Sequence, residues 1–254
     1  GTEPALDGSK PTATYIMDML EQRYTPAHGK DCFRNCDVVD MTFACIGAVD
    51  AMHNTLDWVA RGGEEKARVG IVVFADNAKY DIGSSGEYTQ GAGGGAILIR
   101  HNPRLVEIPD IWGVSTMPVH DFFKPRREVD TRTIVENVLD LARESGEKVK
   151  EGLAERILKH LPRSSKKDDV MFESPMLQIH KDTPVFDGQF SNRCYSESVK
   201  QAFINFRAKA IREGRYDPES DEILTNQWSR IIVHLPYAFQ GKRMFPDVFR
   251  HDRR

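Results

Sequence analysis

The chain has 254 residues, of which 40% are hydrophobic and 29% charged, with a net charge of −3. This balance suits a soluble globular protein with a sizeable core, as one large domain or two closely packed halves. It gives no reason to expect nucleic acid or an anionic membrane as partner, and no apolar run approaches the roughly 20 residues that span a bilayer.

The opening GTEPALDGSKPTATY lacks Met and reads as a strand end running into a helix, with no signal peptide expected. The closing FPDVFRHDRR stops after a helical turn, so both ends are expected to continue into something longer. Pro11 suits a helix start, and Tyr15, Ile16, Met19 and Leu20 predict a helix over 11–24. DVVDMTF, residues 37–43, reads as a buried strand. Cys45, Val49, Met52, Leu56 and Val59 fall at helical spacing over 45–60. ARVGIVVFAD (67–76) and GGGAILIRH (93–101) read as strands, followed by an irregular stretch through HDFFKPRREV. Over 131–161 a helical stripe of Ile134, Val138, Leu141, Val149, Leu153, Ile157 and Leu161 is broken at Gly146 and Gly152, and a polar linker follows at 163–169. A helix over 193–213, a turn at RYDPESDE, a short strand RIIVHLP and a helix from Gly241 complete the chain. Strands alternating with helices predict a parallel or mixed α/β architecture.

Four cysteines, Cys32, Cys36, Cys45 and Cys194, are too few for a disulfide scaffold and fit a cytoplasmic protein with reduced thiols. Cys45 stands where a strand hands over to a helix. The first turn of a helix favours a thiolate, and Ala44, Gly47 and Ala48 leave room for a substrate. A small buried hydrophobe is the other reading. GAGGGA (91–96) has the letters of a dinucleotide-binding loop, but a loop precedes it and a strand follows, which is the wrong order. Cys32 and Cys36 have no second pair at zinc spacing, so no metal is expected. GSSGE is not a serine-hydrolase elbow. His234 closes the strand-like RIIVHLP, where a ring can enter a crevice or sit in a core.

Several segments carry a resemblance when taken in order: GTEPALDGSK, FACIGAVDA, SSGEYTQGAGGGAILI, HDFFKP, FDGQFS and VHLPYAFQGKRMF. Together they resemble the 3-hydroxy-3-methylglutaryl-CoA (HMG-CoA) synthases of the thiolase superfamily. The resemblance implies a layered α-β-α-β-α sandwich, incomplete at both termini, with a helical insertion. Residues 1–130 would be the rest of the first thiolase-like half, 131–182 the insertion and linker, and 183–254 the start of the second half. It implies that Cys45 is the nucleophile, Glu3 the general acid/base and His234 the residue that holds the second substrate. Tyr80 and Thr89 would line the acyl pocket, while Ser191 and Lys242 would bind the acceptor and CoA. Acetyl-CoA and acetoacetyl-CoA would be substrates, with no cofactor, and a homodimer is the implied assembly.

Two departures from the family pattern stand out: Pro4 replaces a frequent Ser, and Phe239 replaces a Lys, leaving Lys242 and Arg243 for CoA. Three rivals remain at this point. One is the polyketide β-branching synthase, whose acceptor rides on a carrier protein. Another is a ketoacyl synthase III-like enzyme, against which the matched Glu3 argues. The last is an inactive fragment that binds CoA esters.

Overall fold

Pro11, with φ −59° and ψ 139°, stands just outside helix α1 (Thr12–His28), which runs past the expected end at 24. The Asp40 carboxylate accepts the Thr12 N–H at 2.6 Å. Desolvation pushes the Asp40 pKa up, but hydrogen bonds from Thr12 and Ala13 outweigh it and hold the group below the usual carboxylate range. Asp40 thereby ties residues 37–43 to the start of α1. The strand expected there does not form: beyond a bridge at Thr42 the segment has no ladder, and Val39 is left 70% exposed. Farther along α1, Glu21 accepts the N–H groups of Cys32 and Phe33 at 2.8 and 3.1 Å. The Cys32 thiol lies 3.7 Å from the same carboxylate. Burial and the Glu21 charge both push that thiol's pKa up, the opposite of what a reactive thiolate requires.

The computed structural model describes residues 9–63, 67–160, 176–181 and 183–253. They form two units, Gly1–Thr116 with Ser196–Arg254, and Met117–Tyr195. In the first, α2 (Gly47–Gly62) packs on an antiparallel ribbon of β1 (Val69–Ala78) and β2 (Gly91–Arg100). Residues opposite one another in such a ladder share a face, so Gly70 with Ile99 and Val72 with Ile97 turn toward α2. Val59, Val72 and Ile99 form the buried centre, ringed by Ala48, Ala51, Met52 and Leu56. Burying each such aliphatic side chain contributes roughly 1.5–3 kcal/mol. The helix comes closest at Gly70, where a β-carbon would overlap the Thr55 methyl group.

The rest of this unit is built on α5 (Gly188–Arg212) from Ser196 onward, a 3₁₀ turn at Leu224–Gln227, and α6 (Gln240–Asp252). Gly214, at φ 69°, ends α5 with Gly214 N–H donating to Ile211 and Arg215 N–H to Ala210, at 3.0 and 2.8 Å. These two bonds close a Schellman cap that only a residue tolerant of positive φ makes cheaply. Phe203 is buried with Trp228 edge-on at 5.9 Å. The buried Asp252 carboxylate accepts the Thr225 N–H at 2.6 Å and faces Arg207 Nε at 3.5 Å. Segment 110–114 is strapped to α5 by Lys209 to the Trp112 carbonyl, Asn205 to the Val114 N–H, and Arg215 to Asp110. Trp112 also stacks on His53 of α2 with centroids 3.6 Å apart. The strand expected at RIIVHLP is absent, with Ile232 96% exposed and no described strand alongside it to complete a ladder.

In the second unit β3 (Arg126–Asp130) pairs antiparallel with β4 (Met176–His180). Between them lie α3 (Thr131–Glu144) and α4 (Leu153–His160). The break expected at Gly146 is a second Schellman cap: Gly146 has φ 87°, and its N–H and that of Glu147 donate to Arg143 and Ala142 at 3.0 and 2.9 Å. Phe123 bridges Val185, and Phe122 stacks on Phe186 at 4.1 Å. These pairings draw both flanks of the charged segment into one unit. Its edges fall at Thr116/Met117 and Tyr195/Ser196. Both described ribbons are antiparallel rather than parallel; the β1–β2 connection holds a 3₁₀ turn and no crossover helix. No helix among the described residues is long and apolar enough to cross a membrane.

Candidate active site

Cys45 lies in a 3₁₀ turn, Ala44–Ile46, that leads directly into α2. The thiol-bearing residue is exposed, while the helix behind it is anchored in the Val59–Val72–Ile99 core. Ala44, immediately before it, has φ 32°, a left-handed conformation that costs a residue with a β-carbon on the order of 1–3 kcal/mol. The strain lies at the peptide that presents the cysteine, and the buried Gly47 opens α2 just beyond it.

Tyr80 and Thr89 are brought together across Gly86. The Tyr80 ring lies on the Gly86 α-carbon so closely that any β-carbon there would overlap it. The Thr89 hydroxyl donates to the Gly86 carbonyl at 2.7 Å, and the Thr89 N–H donates to the same oxygen at 2.9 Å. Gln90 Oε1 accepts the Tyr80 N–H at 3.2 Å, closing the loop from its other end. This loop runs straight into β2, on which α2 rests, so Cys45 and the Tyr80–Thr89 pair are carried by one packed body.

Gly241 links the His234 loop to the start of α6, where Lys242 lies. A β-carbon at Gly241 would approach Val233 to 2.7 Å and Leu235 to 3.1 Å, so the two neighbours of His234 press on this glycine. Lys242 is the next residue and is exposed. His234 is exposed as a whole residue, yet desolvation of its ring lowers its pKa, which favours the neutral imidazole at neutral pH. Ser191 belongs to the other unit, on the first turn of α5. That turn is capped by Asp187, whose carboxylate accepts the N–H groups of Gln189 and Phe190 at 2.9 and 3.0 Å. Asp121 in turn accepts the Asp187 N–H at 3.1 Å, joining the HDFFKP and FDGQFS segments. Glu3 lies outside the described residues.

Residues 1–103 match the family described as hydroxymethylglutaryl-coenzyme A synthase N terminal. Over 252 residues, 99% of this chain, the sequence is 33% identical to the hydroxymethylglutaryl-CoA synthase of Schizosaccharomyces pombe. Over nearly its whole length the chain is therefore similar to the hydroxymethylglutaryl-CoA synthases. A Haloferax volcanii hydroxymethylglutaryl-CoA synthase is 38% identical over 127 residues, half of this chain. The fold agrees: a solved structure, MvaS in complex with 3-hydroxy-3-methylglutaryl coenzyme A, superposes with a TM-score of 0.62 at 23% identity. That superposition covers 98% of this chain and 44% of the other, and gives the chain the thiolase-like fold of the hydroxymethylglutaryl-CoA synthases. The chain spans 41% of the length of the S. pombe protein and 27% of the H. volcanii one.

Reading the family's segments one at a time singled out Cys45, His234, Tyr80 and Thr89 but gave no role to Tyr88, Tyr237 or Gly86. Tyr88 and Tyr237 meet edge to face, with centroids 6.4 Å apart, and so join the TQGAG-bearing and HLPY segments. An aromatic residue inside each of two family segments was the signal available.

Proposed function

We propose that the chain carries the acyl-transfer and condensation chemistry of a hydroxymethylglutaryl-CoA synthase. The observation that carries the reading is Cys45, exposed in a strained turn at the head of a helix anchored in the core. The Cys45 thiolate attacks the acetyl-CoA carbonyl, CoA leaves as its thiol after taking up a proton, and an acetyl thioester remains on the enzyme. Glu3, by its place in the family pattern, removes a proton from the acetyl methyl group. The resulting enolate forms a carbon–carbon bond to the ketone carbon of acetoacetyl-CoA. Neutral His234 keeps one N–H to donate to the ketone oxygen as negative charge gathers there. Water then cleaves the enzyme thioester, releasing HMG-CoA and restoring the Cys45 thiol. Every atom comes from the two CoA esters and water, so the sequence of steps needs no cofactor.

Tyr80 and Thr89, fixed on one another through Gly86, supply a stiff wall for the acyl group. Lys242 and Ser191 are assigned to the acceptor and CoA by family position. The reading carries with it a role in mevalonate and isoprenoid synthesis, a homodimer and a cytoplasmic setting. A mouse relative, 22% identical over 254 residues, is named as the cytoplasmic hydroxymethylglutaryl-CoA synthase.

Brief exposure of the chain to acetyl-CoA is expected to add one acetyl mass, mapped to the Cys45 peptide, and Cys45→Ser is expected to abolish it. A folded sample that takes up no acetyl group would rule out this chain as the acyl-transferring unit and leave only its similarity to the family.

A further inference from the structure

The loop that bears His234 is gripped by Tyr237 and Tyr88, to which the chemistry above gives no role, and by Arg243, which the family pattern leaves for CoA beside Lys242. Arg243 Nη1 donates to the Tyr237 hydroxyl at 2.9 Å, and its guanidinium carbon lies 5.6 Å from the Tyr237 ring centroid. Tyr88 meets the same ring at 77°. The Tyr237 carbonyl accepts the N–H of Gln240, a residue only 2% exposed, at 3.1 Å. Val233 and Leu235, the neighbours of His234, bear on Gly241. Pro236 stiffens the chain between His234 and Tyr237, because its ring fixes φ.

We propose that Arg243, Tyr237 and Tyr88 form a lock that positions His234 and couples it to the Thr89 loop, with all three acting as positioning residues. The proposal rests on the reading of His234 as the residue that steadies the acceptor oxygen. Tyr88 is the sequence neighbour of Thr89, so the contact that braces Tyr237 also sets the acyl-pocket loop against the His234 loop. A donor that must meet developing charge works only when held to within about half an ångström, and a side chain on an exposed loop needs such support. Tyr237 is clamped on its hydroxyl, its ring and its carbonyl. This exceeds what a half-buried tyrosine needs for packing alone.

The test uses the full chain with ¹⁵N-labelled histidine, following the His234 titration by NMR. Tyr237→Phe keeps the ring and removes only the hydroxyl, and Arg243→Gln removes the other partner of the same bond. Each is expected to raise the His234 midpoint toward the ordinary value, on the order of half a pH unit, as the ring gains solvent. The double variant is expected to go no further than either single one. Arg243→Lys, which can still donate to the hydroxyl, is expected to restore most of the change. Arg250→Gln, which removes a surface pair with Asp247, should leave His234 unmoved.

With substrates, Tyr237→Phe is expected to slow condensation about fivefold while acetyl loading of Cys45 keeps its rate, since only the later step uses His234. A His234 titration unchanged in both single variants overturns the lock. So does a loss confined to CoA-ester affinity in Arg243→Gln with Tyr237→Phe unaffected, which would make Arg243 a substrate contact. Absence of acetyl loading in the unaltered chain would overturn the synthase reading instead, and the NMR titration would still decide the lock.

Discussion

The two units are stabilised by different means. In the first, Val59, Val72, Ile99, Phe203, Met244 and Val248 are buried, and their helices carry or support Cys45, the Tyr80–Thr89 loop and the His234 loop. In the second, Leu139 is the one buried hydrophobic residue among the described ones, and α3 and α4 are dressed with exposed ion pairs such as Arg143–Asp140. A strained peptide such as the one before Cys45 persists only where surrounding packing over-determines it. The proposed acyl-transfer residues described here, Cys45 with Tyr80, Thr89 and His234, therefore stand on the unit that has a core, while the charged unit rests on caps, ribbon pairing and partial burial.

Cutting into each core should produce the largest effect and break the comparison if it is wrong. Phe203→Ala removes a ring packed under Trp228 and is expected to cost about 3–5 kcal/mol. Leu139→Ala, from a helix whose Val138 and Leu141 are already more than half exposed, is expected to cost about 2 kcal/mol, the low end for such truncations. Urea unfolding of both variants, with fluorescence from Trp228 and near-ultraviolet circular dichroism, measures the two. Equal losses would mean that the second unit is as well packed as the first.

Much of the first unit was legible because its signals are local. The β-branched run of β1 and the apolar spacing along α2 each state their structure within one segment, as the helix-stopping Gly146 does in the second unit. The strand expected at 37–43 failed because Asp40, a carboxylate inside that apolar run, caps α1 and ties the segment to the helix. β3 was missed for the opposite reason. RREVD carries charge where a buried strand carries Val or Ile, since a two-stranded ribbon in solvent needs little apolar content. At the site, the family resemblance supplied Cys45, His234, Tyr80 and Thr89. The Tyr88–Tyr237–Arg243 cluster depends on contact between segments far apart in the chain, which no local pattern encodes.

A smaller effect separates caps from ion pairs within the second unit. Asp130 accepts the Arg132 N–H at 2.9 Å and caps α3. Asp130→Ala is expected to cost about 1 kcal/mol, as loss of such a cap usually does. Arg132 pairs with Glu136 and Glu155 at 3.5 Å, but all three side chains are at least half exposed. Arg132→Ala is expected to change stability by no more than about 0.5 kcal/mol, because water and salt screen such pairs. Thermal unfolding at low and high salt distinguishes them: the cap variant should lose stability at both, and the ion-pair variant should converge on the parent as salt rises.

The smallest expected effect is acid weakening of the first unit. His234 and Asp40 both titrate below their ordinary values in the folded chain, the imidazole through desolvation and the carboxylate through the α1 cap despite its own desolvation. In each case the unfolded chain binds its proton at higher pH than the folded one, so stability rises with pH across the gap. The His234 contribution is complete above the ordinary histidine value, about 6.5, and is lost as pH falls through the lowered one. The Asp40 contribution is lost in a second window below the ordinary aspartate value of about 3.9. His234→Asn should flatten the stability profile in the upper window and leave the lower one, whereas Asp40→Asn should flatten only the lower. Urea midpoints measured at intervals from pH 8 to pH 3 would show this. A parent chain with no slope in the upper window would mean that the His234 ring is as solvated as in the unfolded chain. The lock on Tyr237 would then have nothing to hold out of water.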